Sequence, residues 1–167
     1  MASAVPDRSA QRLSGRLALR RAVAADADAV TACVREAYVP WVPRIGQKPG
    51  PLLQDYARQI ETEHVVVAEL DGEIAGILVL SLTHEGFLLD NVAVSPAHQG
   101  CGVGRALLVY AEEQARAQGF SAIHLYTHEG MAENLVLYAK LGYVEFDRRF
   151  EFGLRRVYMR KVLAPAD

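Results

Sequence analysis

Residues 90–108 read DNVAVSPAHQGCGVGRALL, and this stretch decides the fold. An apolar run that stops at Pro96 predicts a buried strand, and the glycine-rich loop after it leads into a segment with the apolar spacing of a helix. The first amides of a helix have no partner inside the helix and carry the positive end of its dipole. A strand that reaches a helix through glycines is therefore typical of a site for an anion such as a diphosphate.

Three interpretations of the glycine loop compete. A nucleoside triphosphatase loop has Gly-Lys-Ser/Thr at the helix start, whereas this sequence has Gly104-Arg105-Ala106. A dinucleotide-binding fold has G-x-G-x-x-G with an acidic residue about twenty positions on, and Gly100-x-Gly102 matches only part of that pattern. The third interpretation is a turn that binds nothing.

Length and composition indicate one globular domain that does not bind nucleic acid. The chain has 167 residues, of which 51% are hydrophobic and 23% are charged, and its net charge is −2. These values fit a single folded core. A net-acidic chain lacks the positive surface that holds nucleic acid, so any bound anion must be held by local groups.

The cysteines and the chain ends complete the domain assignment. Cys33 and Cys101 lie far apart without metal-ligand spacing, so we expect free thiols, no metal site and no disulfide. No apolar run approaches the length of a membrane span, which favours a cytoplasmic protein with no membrane partner. We expect residues 1–15 to form a flexible N-terminal tail, residues 16–163 a single domain and residues 164–167 a short C-terminal tail.

The remaining pattern predicts a mixed sheet. RLALRRA alternates as a strand does, and DADAVTACVREAY follows it as a helix, with Asp26 placed to cap it. HVVVAEL and EIAGILVLSL are β-branched runs joined by Asp71-Gly72, a dipeptide typical of a hairpin turn. Further helices are predicted at LLQDYARQI, GRALLVYAEEQARAQ and MAENLVLYAKL, and further strands at FLLDNVAV, AIHLYT, YVEFDRRF and RRVYMRKVL. The sum is an α/β fold of the α+β kind, with a mixed, mostly antiparallel sheet of about seven strands flanked by about four helices.

The order of these features resembles one family. The strand of the quoted stretch leads into VSP, which ends at Pro96, and the loop continues as QGCGVG from Gln99. A second motif, later in the chain, reads ENLVLYAKLGYVE. Together they resemble the GCN5-related N-acetyltransferase (GNAT) superfamily, whose signature is Gln/Arg-x-x-Gly-x-Gly/Ala after a strand that ends in Val-x-Pro. The resemblance covers nearly the whole chain.

The resemblance implies acetyl-coenzyme A as the donor. It places the pyrophosphate on the amides of the glycine loop and the pantetheine arm along the preceding strand, as a peptide adds to a strand edge. The residues so implied are Val92, Ala93, Val94, Gln99, Gly100, Cys101, Gly102, Val103, Gly104 and Arg105.

Tyr138 is the residue that the resemblance implies for the chemistry. In the family a tyrosine at this point, four residues before the glycine of LGY, protonates the leaving sulfur, and a phenol with a pKa of about 10 can supply that proton. From spacing alone, a core aromatic is the simpler interpretation. Many members carry an asparagine seven residues earlier, where this chain has Met131. Asn134 lies on the same helical face as Tyr138 and is the substitute expected to contact the cofactor. The usual alternative is an exposed polar residue on a helix surface.

The sequence identifies the general base that takes the proton of the amine less clearly than it identifies Tyr138. An alkyl ammonium has a pKa of about 10.4 and must lose a proton before it attacks. Asp90 and Glu85 are the candidates, acting directly or through water. Each is also explained as a solvated or structural carboxylate.

The candidate acceptor site lies in the segment YVPWVPRIGQKPGP, residues 38–51. In the family this segment commonly covers the acceptor. Tyr38, Trp41 and Arg44 are therefore the candidate substrate contacts, because aromatic and arginine side chains are enriched at binding surfaces. Aromatics that only anchor the loop to the core fit the pattern equally well.

The resemblance implies an N-acetyltransferase that moves the acetyl group of acetyl-coenzyme A directly to a primary amine of a small molecule or peptide. Neither cysteine lies where the family attacks a thioester, so no acyl-enzyme is expected. The alternative is a non-catalytic sensor or subunit that binds acyl-coenzyme A. A homodimer is common in the family.

Overall fold

The structure, a computed structural model, describes residues 16–165. The predicted tail at residues 1–15 and the last two residues of the predicted C-terminal tail lie outside the described residues. Within residues 16–165, no helix combines the length and the apolar character that crossing a membrane requires.

Within the described part of the chain, seven strands form one sheet in the order β1-β2-β3-β4-β5-β7-β6. All neighbours pair antiparallel except β4 and β5, which pair parallel across the crossover helix that joins them. The predicted mixed, mostly antiparallel sheet is confirmed. The strands β1 to β7 are Leu17–Arg21, His64–Leu70, Glu73–Thr83, Gly86–Val94, Ala122–His128, Val144–Glu151 and Leu154–Val162.

The helices flank both faces of the sheet. Four of them have seven residues or more, as predicted, and α2 is a single turn. In chain order α1 to α5 are Ala27–Tyr38, Val42–Ile45, Tyr56–Thr62, Val103–Ala117 and Ala132–Lys140.

The sequence prediction misses the cap of α1 and the start of α3. Asp26 precedes α1, but its carboxylate does not cap that helix; it accepts a hydrogen bond from the Val23 amide at 2.8 Å and pairs with Arg20 at 2.7 Å. The helix predicted from LLQDYARQI begins later, at Tyr56, because Asp55 caps it by accepting a hydrogen bond from the Arg58 amide at 3.2 Å. Local hydrogen bonds of short polar side chains set these boundaries.

The sheet separates two hydrophobic cores. On one face α4 and α5 pack with Leu107 and Tyr138 against strand residues such as Val92 and Leu125. On the other face α1 and α3 pack with Tyr38 and other side chains against the same sheet. Every strand of the centre is therefore buried on both sides, which fits its nearly continuous apolar sequence.

A close contact fixes the start of α4 on the sheet. A Cβ atom built on Gly76 of β3 would lie 2.9 Å from Val103 Cγ1, 3.0 Å from Leu107 Cδ1 and 3.1 Å from the Ala93 carbonyl oxygen. Only glycine leaves room for this approach. As a result, the first turn of α4 lies directly beside the end of β4.

Candidate active site

The central feature is a gap between β4 and β5. Their parallel pairing covers only three residue pairs and stops at Leu89 opposite Leu125. At the same place the pairing of β3 with β4 shifts, so that Asp90 is the extra residue of a β-bulge between Leu89 and Asn91. A bulge bends its strand and redirects side chains. Here it accompanies the separation of the second half of β4, the predicted cofactor strand, from β5.

The glycine loop leads from β4 into α4. Gly100 and Gly102 have φ values of 80° and 83°, a left-handed conformation that glycine adopts without strain. Gly102 is the N-cap residue and supplies no side chain to the first amides of the helix. The helix begins at Val103, one residue before the predicted start, and Gln99 donates a hydrogen bond from Nε2 to the Val94 carbonyl at 3.3 Å.

The first turn of α4 can accommodate an anion. Its amides lack acceptors within the helix, and a 15-residue helix places the positive end of its dipole there. The predicted loop residues are half-buried or buried, except that Arg105 is exposed. The backbone and the charge at this end of the gap therefore suit a phosphate-bearing ligand.

Tyr138 and Asn134 are the two buried residues of α5, and both are completely inaccessible to solvent. The ring of Tyr138 meets that of Tyr143 edge-on, with 5.7 Å between their centroids. Burial, and then the neighbouring Tyr143, raise the pKa of Tyr138 well above its usual value, so that the phenol keeps its proton at neutral pH. Asn134 donates a weak hydrogen bond to Thr127 Oγ1 at 3.4 Å. It is not the exposed polar residue that is usual on a helix surface.

Tyr38 ends α1 and is the first residue of the roof of the site, a name we give to residues 38–51. Its side chain is fully buried, and its hydroxyl donates a hydrogen bond of 2.7 Å to Asn91 Oδ1 on β4. Asn91 in turn donates to the Tyr56 hydroxyl at 3.2 Å. The structure thus places Tyr38 as an anchor between α1 and the bulged strand. Sequence spacing indicated neither Tyr56 nor the contact with Asn91, because the partners lie more than 30 residues apart.

Asp90 lies at the gap and is half-buried. The hydroxyl of Tyr126 on β5 donates a hydrogen bond to Asp90 Oδ1 at 2.9 Å, which joins the two strands where their backbone pairing has ended. Burial, and after it the negative charge of Asp90, raise the pKa of Tyr126 above its ordinary range. Tyr126 therefore remains a hydrogen-bond donor to this carboxylate.

Glu85, the other candidate base, is not brought to the gap. It lies in the turn between β3 and β4, at the opposite end of β4 from the glycine loop. Arg149 holds it through two hydrogen bonds of 2.6 and 2.7 Å, and these lower the pKa of Glu85 to about 2. A carboxylate so acidic is a poor proton acceptor. Glu85 therefore does not enter the mechanism proposed below.

The roof spans the site and contacts its far side. Arg44 stacks over Trp41 at 5.3 Å and forms an ion pair of 2.8 Å with Glu133 in the first turn of α5. Gln47 donates a hydrogen bond to the carbonyl of Gly153, in the turn between β6 and β7. Trp41 and Arg44, two of the three predicted substrate contacts, thus lie in a segment that connects α1 to α5 and to the last hairpin.

Comparison with known proteins identifies the family. Residues 30–143 match the model of the acetyltransferase (GNAT) family. Over 56 residues the chain is 39% identical to a mycothiol acetyltransferase from Streptosporangium roseum, a match that covers 34% of this chain and only 17% of that relative.

Solved structures share the fold. An acetyltransferase of the GNAT family from Desulfovibrio desulfuricans superposes with a TM-score of 0.73 at 22% identity, covering 89% of this chain and 100% of the other. The PaiA N-acetyltransferase from Thermoplasma acidophilum, solved in complex with coenzyme A, superposes with a TM-score of 0.69 at 16% identity, covering 88% and 99%. Because the family model covers more than half of the sequence and the fold agrees with it, this chain belongs to the GNAT acetyltransferase family.

Proposed function

We propose that this chain is an N-acetyltransferase that transfers the acetyl group of acetyl-coenzyme A directly to a primary amine of a small molecule or peptide. The observation that carries the proposal is the arrangement around the gap. The glycine loop and the first turn of α4 lie at the end of β4. Asp90 lies at the gap, and Tyr138 packs in the core cluster that contains Val92 and Val94 of β4.

The residues of the gap fit the proposed donor. The amides of residues 99–105 would hold its pyrophosphate, because they combine left-handed glycines with a helix N-terminus. The edge of β4 from Val92 to Val94 would hold the pantetheine arm, since β5 has diverged there. Relatives solved with coenzyme A or acetyl-coenzyme A support this assignment.

Acetyl-coenzyme A supplies a thioester whose carbonyl carbon an amine can attack. In the proposed reaction one C–N bond forms, one C–S bond breaks, and one proton passes from the amine to the released thiol. Asp90 accepts the proton that the ammonium group must lose, directly or through water. Tyr138 donates its proton to the leaving sulfur, a role that requires a protonated phenol. The second proton lost by the attacking nitrogen restores the phenol, and Asp90 releases its proton to solvent.

Asn134 and the roof have supporting roles in this proposal. Asn134 shares the buried face of α5 with Tyr138 and would contact the donor beside it. Trp41 and Arg44 cover the acceptor, while Tyr38 holds the bulged strand in place through Asn91. Cys101 in the loop takes no part in the chemistry.

We also propose a cytoplasmic location. Cys33 and Cys101 are both free thiols, as expected in a reducing compartment. Burial raises the pKa of Cys33 to about 12, so this thiol is unreactive where it lies.

The proposal is tested by thiol release. Purified protein is incubated with acetyl-coenzyme A and a panel of primary amines, and free coenzyme A is measured against a reaction without amine. Amine-dependent release supports the proposal, and Cys101→Ala is expected to retain it. Tight binding of coenzyme A by calorimetry without any turnover would favour the sensor, and no binding at millimolar coenzyme A would contradict both.

A further inference from the structure

Beside the gap, β5, β6 and β7 present a face of aromatic rings with arginines stacked on them. Arg156 lies 4.4 Å above the ring of Tyr126, Arg149 lies 4.1 Å above that of Tyr158, and Arg160 lies 4.1 Å above that of Phe146. Stacking of this kind holds a guanidinium plane in a fixed orientation.

Arg156 differs from the other two arginines in its burial. Its side chain is only 12% exposed. Arg149 is paired with Glu85 and Asp147, and Arg160 is exposed. Arg156 is therefore the least exposed arginine of the three, and its Nε is buried.

Two contacts fix the Arg156 guanidinium. Its Nη1 donates to Glu151 Oε2 at 3.0 Å, and the same oxygen accepts a hydrogen bond from Tyr158 at 2.8 Å. The roof closes over the other side, since a Cβ atom built on Gly50 would lie 3.4 Å from Arg156 Nη2. The group is preorganised before any acceptor arrives.

The Nε donor of Arg156 is buried without a hydrogen-bond partner within residues 16–165. An unpaired buried donor on a charged group destabilises a folded protein. Arginine can only donate, so a ligand that pairs with this Nε must present an oxygen that accepts a hydrogen bond.

The side chain of Tyr126 lies between Arg156 and Asp90 and contacts both. The ring face of Tyr126 lies under the guanidinium, and the hydroxyl of the same residue bonds Asp90. An α-amino carbonyl group has an amine and an oxygen separated by bonds of about 1.46, 1.52 and 1.23 Å. With a hydrogen bond of about 2.9 Å at each end, an α-amino carbonyl group can span the ring of Tyr126 and reach both Asp90 and Arg156.

We infer that the acceptor is an α-amino carbonyl compound, whose amine lies at Asp90 and whose carbonyl or carboxylate oxygen accepts a hydrogen bond from Arg156 Nε. This inference rests on the proposed function and adds the class of acceptor to it. Two sources share this chemistry, a free amino acid with its carboxylate and a peptide N-terminus with its first carbonyl.

The test compares matched amines with the wild-type protein. For alanine, phenylalanine and lysine, kcat/KM is measured for the free amino acid, for a peptide that begins with it, and for the decarboxylated amine. Values are expressed per concentration of neutral amine, because a peptide α-amino group has a pKa of about 7.7–8.0 and an alkylamine one of about 10.4. In at least one series, kcat/KM for the amino acid or the peptide is expected to be about tenfold or more above kcat/KM for the decarboxylated amine. A difference of this size is the effect of a hydrogen bond to a charged group. Which of the two is preferred identifies the source.

Variants of Arg156 test whether this residue causes the preference for α-amino carbonyl compounds. Arg156→Gln is expected to remove the preference, lowering kcat/KM for the α-amino carbonyl compound by about tenfold or more while the decarboxylated amine changes less than about threefold. Arg156→Lys keeps the charge but not the Nε donor, and is expected to recover only part of the preference. Arg160→Gln, on the exposed part of the same strand, is the matched control and is expected to change neither value.

Each outcome decides between the proposals. Turnover of amines with no preference for the carbonyl compounds overturns the inference and leaves the proposed function standing. An equal loss on all amines in a folded Arg156→Gln variant also overturns it, and if that variant does not fold, the wild-type comparison decides alone. The absence of turnover with every amine contradicts the proposed function, and the inference fails with it.

Discussion

The Tyr126 hydroxyl and Asp90 Oδ1 are 2.9 Å apart and connect two parallel strands immediately beyond their last paired residues, Leu89 and Leu125. This side-chain contact replaces a backbone ladder at the place where the strands diverge. It also orients the carboxylate of a bulged residue towards the gap. The proton acceptor of the proposed reaction is thus positioned by the same irregularity that opens the site.

Asp90→Asn is expected to lower kcat by about 100-fold or more, since an amide cannot take a proton and general base catalysis contributes about 10²–10⁴-fold. The amide oxygen can still accept the hydrogen bond of Tyr126, so the fold is expected to persist. The measurement is kcat at saturating amine, with calorimetry of coenzyme A binding as the check on folding. Tyr126→Phe keeps the carboxylate and serves as the control, with an expected loss of about tenfold. Unchanged turnover of Asp90→Asn would remove Asp90 from the mechanism.

Tyr138→Phe is expected to lower kcat by about 100-fold while the dissociation constant of coenzyme A changes less than about threefold, because only the proton donor is lost. The ring that packs on Tyr143 remains in place. Tyr143→Phe is a matched control, since the Tyr143 hydroxyl is buried and makes no hydrogen bond within the described part of the chain. That variant is expected to keep full turnover. Equal rates in the two variants would show that the Tyr138 hydroxyl has no role.

The sequence predicted the parts of this site that are encoded locally. The apolar run of β4, the glycines after it and the apolar spacing of α4 are contiguous, so they could be read from one segment. The turn at Asp71-Gly72 was also predicted, and the left-handed φ values of 53° and 83° confirm it. Turn chemistry depends on two residues only, which is why it is visible in a sequence.

Contacts between distant strands could not be predicted in this way. Arg156 stacks on Tyr126 across 30 positions of sequence, and Tyr38 bonds Asn91 across 53. These contacts depend on the register of β5 with β7 and on the bulge at Asp90. A one-residue change of register would turn each side chain to the other face, and composition contains no signal for it.

Alkaline pH is expected to destabilise the fold, starting near the ordinary tyrosine pKa of about 10. Burial raises the pKa of Tyr38, Tyr56, Tyr126, Tyr138 and Tyr143 in the folded state. The unfolded chain therefore loses these protons first, so stability is complete below about pH 10 and falls as pH rises further. Urea unfolding between pH 8 and 11 measures how steeply the free energy of unfolding falls with pH, which is the slope of interest. Tyr143→Phe is expected to reduce it by about 1.4 kcal/mol per pH unit, and an unchanged slope would contradict this account.

Glu85→Gln is expected to leave kcat within about twofold of wild type, because substitutions away from functional groups have small effects. Glu85 is held by Arg149 at the far end of β4, and its pKa of about 2 keeps it ionised at all working pH values. The glutamine can still accept a hydrogen bond from Arg149, which keeps its ion pair with Asp147. Initial rates across pH 6–9 provide the measurement. A loss comparable to that of Asp90→Asn would return Glu85 to the list of bases.

Gly76→Ala is expected to lower the free energy of unfolding by about 1–3 kcal/mol, the usual effect of an extra methyl in a packed core, and to weaken coenzyme A binding. The new Cβ atom would meet Val103 at 2.9 Å and Leu107 at 3.0 Å, so the first turn of α4 must move away from β4. That turn is the proposed site of the donor's pyrophosphate. Its displacement is therefore expected to weaken binding of coenzyme A more than binding of the amine. Gly50→Ala adds the same methyl where the nearest atom is 3.4 Å away and is expected to unfold like wild type. If Gly76→Ala loses stability but binds coenzyme A with unchanged affinity, the first turn of α4 does not hold the donor.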